Sequence, residues 1–252
     1  MEVMILLKMK INKLLLDTGG DIPFPQAQVT IHTPTLKEIA LIGERNFFIG
    51  CHFLNFNKEN LSDEDKLGLE NKSDFDIFMS VMNNPQMAIH KTDALMVLAL
   101  LFPQYRLKIT KEEILLQSEN FSSSINKQNY DDFKSILNQV FCLEGEEAGD
   151  EYDPADALAA RIAEKIKKGK MKRNKQGTEQ DETFSIYGKY MSILAVGLKK
   201  DKNELSNYTV YQIRDEFQRF IMKENYDIYI DAKLAGAQDL EEVENWMDDI
   251  HP

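Results

Sequence analysis

Cysteine is scarce in this 252-residue chain. Cys51 and Cys142 stand far apart and in no Cys-x-x-Cys pattern, which removes a disulfide framework and a thiolate metal site from consideration and fits a reducing compartment. Long apolar runs are also lacking. The longest, residues 94–102, is about half of the roughly 20 residues that cross a bilayer. The apolar-looking start is broken by Glu2, Lys8, Lys10, Asn12 and Lys13 with no small-residue cleavage site behind it, so it reads as neither a signal peptide nor a membrane span. Positive charge is in deficit: 30 basic against 42 acidic residues give a net charge of −12. Such a surface repels phosphate backbones and anionic lipid, and neither nucleic acid nor membrane is expected as a partner. Histidine, with four copies, shows no His-x3-His pair, and Cys51-His52, His32 and His90 have no spacing that brings two ligands to one face. The chain also lacks Gly-x-Ser-x-Gly and Gly-x4-Gly-Lys signatures. No catalytic residue, cofactor or metal is expected.

What is present is a well-mixed hydrophobic complement, 43% of residues, with 14 Phe and 9 Tyr spread along the whole length. That is enough for one sizeable core or two smaller ones. The patterning predicts a mainly α protein of the α+β class with a small N-terminal β-hairpin. In the hairpin, Leu14-Leu15-Leu16 form one strand, 17–21 the turn, and Val29 and Ile31 lie on the other strand. Thr35 with Glu38 three residues on predicts a capping box, and Gly43 a break after it. Further helices are predicted over 44–54, from an Asp74 cap through Met82, over 86–102, and from an Asn129 cap through Phe141. Residues 105–109 and 114–117 read as a second hairpin, or as a hairpin arm and a helix start.

The composition shifts after residue 143. Residues 144–156 hold seven acids and no base; 159–176 hold eight bases and one acid. The chain therefore divides into an N-terminal α+β part (1–143), an acidic linker (144–157) and an all-helical C-terminal part (158–252), unless the acidic run is a long loop inside one domain. Asp153 and Pro154 suit the start of a helix whose basic end carries Arg161, Lys165, Lys168, Lys172 and Arg173. Downstream, one helix covers Phe184 to Leu198, and a long one starts at Asn207 or Thr209 and ends near Gly236. A last helix, capped by Asp239 with Glu242, shows Leu240, Val243, Trp246, Met247 and Ile250 as a single apolar stripe.

Two chemical readings compete with plain structure. Asp17-Thr18-Gly19 after three leucines imitates an aspartic-protease loop, but no second Asp-Thr/Ser-Gly exists, and the sequence is ordinary turn chemistry. The basic run would suit a nucleic-acid contact, yet no aromatics interleave and the acidic run adjoins it; a solvated or protein-contacting face is the reading adopted.

Several segments in order carry a family likeness: Pro34-Thr35-Leu36-Lys37-Glu38-Ile39 with Ile42-Gly43-Glu44; Tyr152-Asp153-Pro154-Ala155-Asp156 leading into 159–165; residues 190–198; Tyr208-Thr209-Val210-Tyr211-Gln212-Ile213; and Leu234-Ala235-Gly236-Ala237 with Val243-Glu244-Asn245-Trp246-Met247. Together they resemble the tail assembly chaperones of tailed bacteriophages. The resemblance implies a non-enzymatic protein of the host cell cytoplasm that binds the phage tape measure protein and keeps it soluble during tail assembly, with homo-oligomers or other tail proteins as further partners. The contact residues expected are Arg161, Lys165, Lys168, Lys172, Arg173, Val243, Trp246, Met247 and Ile250. A structural tail or virion subunit is the alternative, ahead of a nucleic-acid binder or a protease-like enzyme.

Overall fold

A computed structural model of the chain describes residues 10–60, 69, 71–84, 88–143, 185–238, 240, 242–243 and 245–247. The acidic linker, the basic helix with its five named cations, the Asp239 cap and Ile250 lie outside the described residues, as do Gln86 and Phe184.

The first element corrects an expectation. Residues Lys13–Asp17 form a short helix, α1, not a strand. Asn12 caps it by accepting from the Leu14 amide at 3.0 Å, and three leucines, with no branch at Cβ, carry little strand preference to oppose that cap. The hairpin lies just downstream. β1 (Ile22–Phe24) pairs antiparallel with β2 (Val29–Ile31), Ile22 opposite Ile31 and Phe24 opposite Val29. A 3-10 turn, Pro25–Ala27, joins them, with Gln28 left-handed at φ 53°. All four of these apolar side chains are buried.

His32 fastens this hairpin to the next helix: its Nδ1 lies 2.9 Å from Asp21 and its Nε2 3.2 Å from Glu38. Glu38 also completes the Thr35 capping box that starts this helix, α2 (Leu36–Ile42). Gly43, at φ +85°, ends α2 and starts α3 (Glu44–Leu54), a conformation that a Cβ would strain. α4 (Asp74–Met82) comes next; its cap is Ser73, boxed by Asp76, one residue before the expected Asp74.

α5 (Ala88–Leu101) packs closely on α3. A Cβ at Gly50 would stand 2.5 Å from the Asp93 carbonyl oxygen and 2.6 Å from Val97, so glycine sets how near the two backbones come. Ala94, Val97, Leu98 and Leu101 of α5 are buried.

The ambiguous stretch resolves as strands. β3 (Arg106–Ile109), β4 (Ile114–Gln117) and β5 (Ser122–Ile125) make an antiparallel meander. The Thr110 hydroxyl accepts from the amides of Glu112 and Glu113, shaping the first turn. β5 has no signal in the sequence pattern. Its three serines carry weak strand preference, and pairing with β4 plus a hydrogen bond from the Ser123 hydroxyl to the Ala27 carbonyl imposes it.

α6 (Tyr130–Phe141) buries Tyr130, Phe133, Ile136, Leu137, Val140 and Phe141, the stripe that its spacing predicts. Asn129 stands at its start but does not cap it. Its side chain accepts from the Asn126 amide and donates to the Ser124 carbonyl, binding the end of β5 instead. Tyr130 donates to the Leu54 carbonyl at 2.9 Å, and Lys134 pairs with Asp74 at 2.5 Å, joining α6 to α3 and α4.

The remaining helices are α7 (Ile186–Gly197), α8 (Lys202–Leu205) and α9 (Val210–Leu234). Their Tyr187, Leu194, Leu205, Val210 and Ile213 belong to the same hydrophobic cluster as the Phe24, Phe47, Phe133 and Phe141 of the preceding part. Beyond α9 the structure departs from expectation. Residues 240, 242, 243 and 245 are irregular and 246–247 form a turn, where the apolar spacing predicts a helix. Asn245 Oδ1 accepts from the Met247 amide at 3.1 Å, a local bond that competes with helix, and five acids crowd 241–249.

Gly50→Ala should lower stability by about 1–3 kcal/mol, since the methyl group meets backbone that cannot step aside; urea unfolding checks it. Asp76 is held down to about 2, from 3.8, by hydrogen bonds from Lys127 and from Ser73. Its folded value is depressed, so its stabilisation is fully present above the unfolded value and is lost as pH falls towards the folded one. Asp76→Asn should therefore flatten the acid limb of the melting temperature against pH curve and leave its shape above about pH 5 unchanged.

Candidate interaction surface

Asp17 is exposed at the end of α1, and its carbonyl accepts from the Gln212 side chain at 2.8 Å. Cys51 is buried, which pushes its thiol well above the ordinary value, and His52 beside it is exposed. His32 is occupied by its two carboxylates. Among the described residues no three His, Cys, Asp or Glu side chains gather as a metal site, and no helix is long and apolar enough to cross a membrane. An open cleft of about 900 Å³ lies between α4 and the loops at 111–113 and 126–128, with the Asp76–Lys127 pair in its wall. Its charges are mixed, and that acid and base neutralise each other.

Among the described residues, the part after residue 185 is tied to the part before 143 by several polar contacts besides the Gln212–Asp17 bond. The Glu44 carboxylate, in the first turn of α3, accepts from the amides of Ile186 (2.8 Å) and Tyr187 (3.1 Å) and from the Ser185 hydroxyl. It thus satisfies orphan donors at the N-terminus of α7, where a negative charge is favoured. The Leu36 amide donates to the Tyr208 carbonyl and the Lys37 amide to the Ser206 carbonyl, both at 2.9 Å. These bonds lay the start of α2 beside the start of α9, each with its own capping box, Thr35–Glu38 and Thr209–Gln212. Arg214 donates to the Cys142 carbonyl at 3.0 Å at the end of α6. Phe48 stacks on Tyr187 with centroids 5.3 Å apart.

α9 is anchored along its first half. Val210 and Ile213 are fully buried, Phe217 stacks on Tyr190 at 4.1 Å, and Phe220 fills the space where a Cβ on Gly197 would stand. The helix has 25 residues against 12 in α7, about 37 Å against about 18 Å at 1.5 Å per residue. Its apolar stripe outruns its support. Ile221 is 41% exposed and Ile228 65%, and Leu234, on another face of the last turn, 81%.

On the other side of α9 the chain returns. Arg219 Nη1 donates to the Trp246 carbonyl at 3.4 Å, and the charge of Glu242 acts on Lys233. Trp246 therefore lies along the side that bears Arg219. Of the apolar residues expected to make contacts, Val243 and Trp246 are half-buried in this return, and Met247 is 65% exposed. Ile228 is not among the residues that sequence reasoning selects. Its signal is the stripe Val210–Phe217–Ile221–Ile228, legible only against the length of α7.

Residues 187–251 match the family model described as the YomV second domain, a phage-associated family. The match covers α7, α8, α9 and the returning tail. No curated protein and no solved structure matches the chain.

Glu44→Ala should destabilise the protein by about 1–3 kcal/mol, because two amides and a hydroxyl at the α7 terminus lose their acceptor. Chemical denaturation of the variant measures it, and Glu44→Gln, which keeps one acceptor oxygen, should recover part of the loss.

Proposed function

We propose that this chain is a non-enzymatic protein of phage tail assembly, a chaperone that binds the tape measure protein in the host cytoplasm and keeps it soluble while the tail is built. The observation that carries this reading is a coincidence of place. The phage-associated match falls on residues 187–251, the same stretch whose long helix leaves an apolar stripe beyond its own core. A protein that shields a long helical partner needs such a surface, together with enough charge to hold the complex in solution. The net charge of −12 supplies the second requirement. Neither task needs a cofactor.

The reading predicts that a tape measure protein encoded in the same tail module stays soluble when co-expressed with the full chain, co-purifies with it, and precipitates without it. Fractionation of the two cultures checks this. Equal insolubility in both would overturn the chaperone reading, and recovery of the chain in washed, purified particles would favour a structural subunit.

A further inference from the structure

The exposed half of α9 presents a charge pattern that selects its occupant. Ile221 and Ile228 are seven residues apart, so they lie within about 20° of each other around the helix and about 10 Å apart along it. Glu224 and Asp231 share that face, one turn before and one turn after Ile228, and both are exposed. Lys223 is engaged by Asp227 at 2.5 Å and Lys233 lies over the Tyr229 ring at 4.5 Å. Among the described residues neither Glu224 nor Asp231 has an ion-pair partner. The face is thus an isoleucine bracketed, at a two-turn spacing, by two carboxylates that form no ion pair with a described residue.

The same face of a second copy is a poor occupant. Antiparallel pairing centred near Ile228 sets Glu224 against Asp231, and parallel pairing sets each acid against itself. Like charges across a helix pair repel in either case, and the net charge of −12 adds long-range repulsion. The opposite side of α9 is already lined by the chain's own return through Trp246. What fits is a partner helix with an apolar stripe and Lys or Arg on its flanks.

We infer that the face formed by Ile221, Glu224, Ile228 and Asp231 is a docking site for an amphipathic helix with basic flanks. The inference rests on the reading of the chain as a partner-binding protein and names the surface and the chemistry of what it holds. Ile228 supplies the apolar contact, while Glu224 and Asp231 set register and exclude acidic helices.

The test uses the full-length protein and two labelled synthetic helices of about 20 residues, alike in a leucine stripe, one flanked by Lys and the other by Glu. Fluorescence anisotropy should show the Lys-flanked helix binding at least about tenfold more tightly than the Glu-flanked one, with the difference shrinking as salt rises. Ile228→Asp should weaken binding about tenfold or more; Glu224→Lys with Asp231→Lys should reverse the preference. All these positions are exposed, so circular dichroism and melting of the variants should match the parent. Equal binding of the two helices, indifference to Ile228→Asp, or a dimer in sedimentation that Ile228→Asp dissociates would each overturn the inference. The two readings fail separately: a tape measure protein still held soluble by the Ile228→Asp variant sinks the docking site alone, and helix binding without any effect on the tape measure protein sinks the chaperone reading alone.

Discussion

Val210 and Ile213 are buried in a core assembled mostly from residues 16–141, and that anchorage decides where the other half of a 25-residue helix can go. Fully burying two such side chains contributes about 1.5–3 kcal/mol each. The stacking of Phe217 on Tyr190 and the fit of Phe220 against Gly197 extend the hold further along the helix. Past that point no element of equal length accompanies α9 among the described residues. Its direction is set at the base by packing, and its outer turns are left to offer side chains rather than bury them.

The base itself depends on helix termini that share polar partners. Glu44 begins α3 and at the same time closes the start of α7. The starts of α2 and α9 lie side by side through backbone bonds at 35–37 and 206–209, and Gln212, from the α9 capping box, reaches the carbonyl of Asp17. All of these bonds join residues far apart in the chain, 142 positions in one case and 195 in another. The N-terminal α+β part therefore acts as the mount on which α7, α8 and α9, the helices within the matched stretch 187–251, are held. Gly50 and its neighbours keep that mount close-packed.

Elements whose pattern is local are legible in the sequence. The Thr35–Glu38 box, the Gly43 break, α3, α6 and the Thr209 start of α9 all stand where spacing and caps place them. The class, mainly helical with an N-terminal strand pair, is legible too. Three features are not, for separate reasons. Leu14–Leu16 have the apolarity of a strand, but the Asn12 cap closes a helical turn. β5 is a strand by virtue of its neighbour and not of its own serines. The stripe after Asp239 has helical spacing, but a side-chain bond from Asn245 and a run of acids oppose the helix. The candidate surface is not legible in any one stretch: Val243, Trp246 and Met247 belong to the returning tail on the other side of α9, and the importance of Ile228 comes from the shortness of α7, a relation between two elements.

The outer turns of α9 are the proposed surface for a partner to cover. Hydrogen exchange of the full chain, alone and in complex with the co-expressed tape measure protein, tests it most directly. Amides of 221–234 should gain the largest protection on binding while those of α3, α5 and α6 are unchanged. Protection confined to the N-terminal strands or the 111–128 cleft, with 221–234 exchanging as in the free protein, would contradict it.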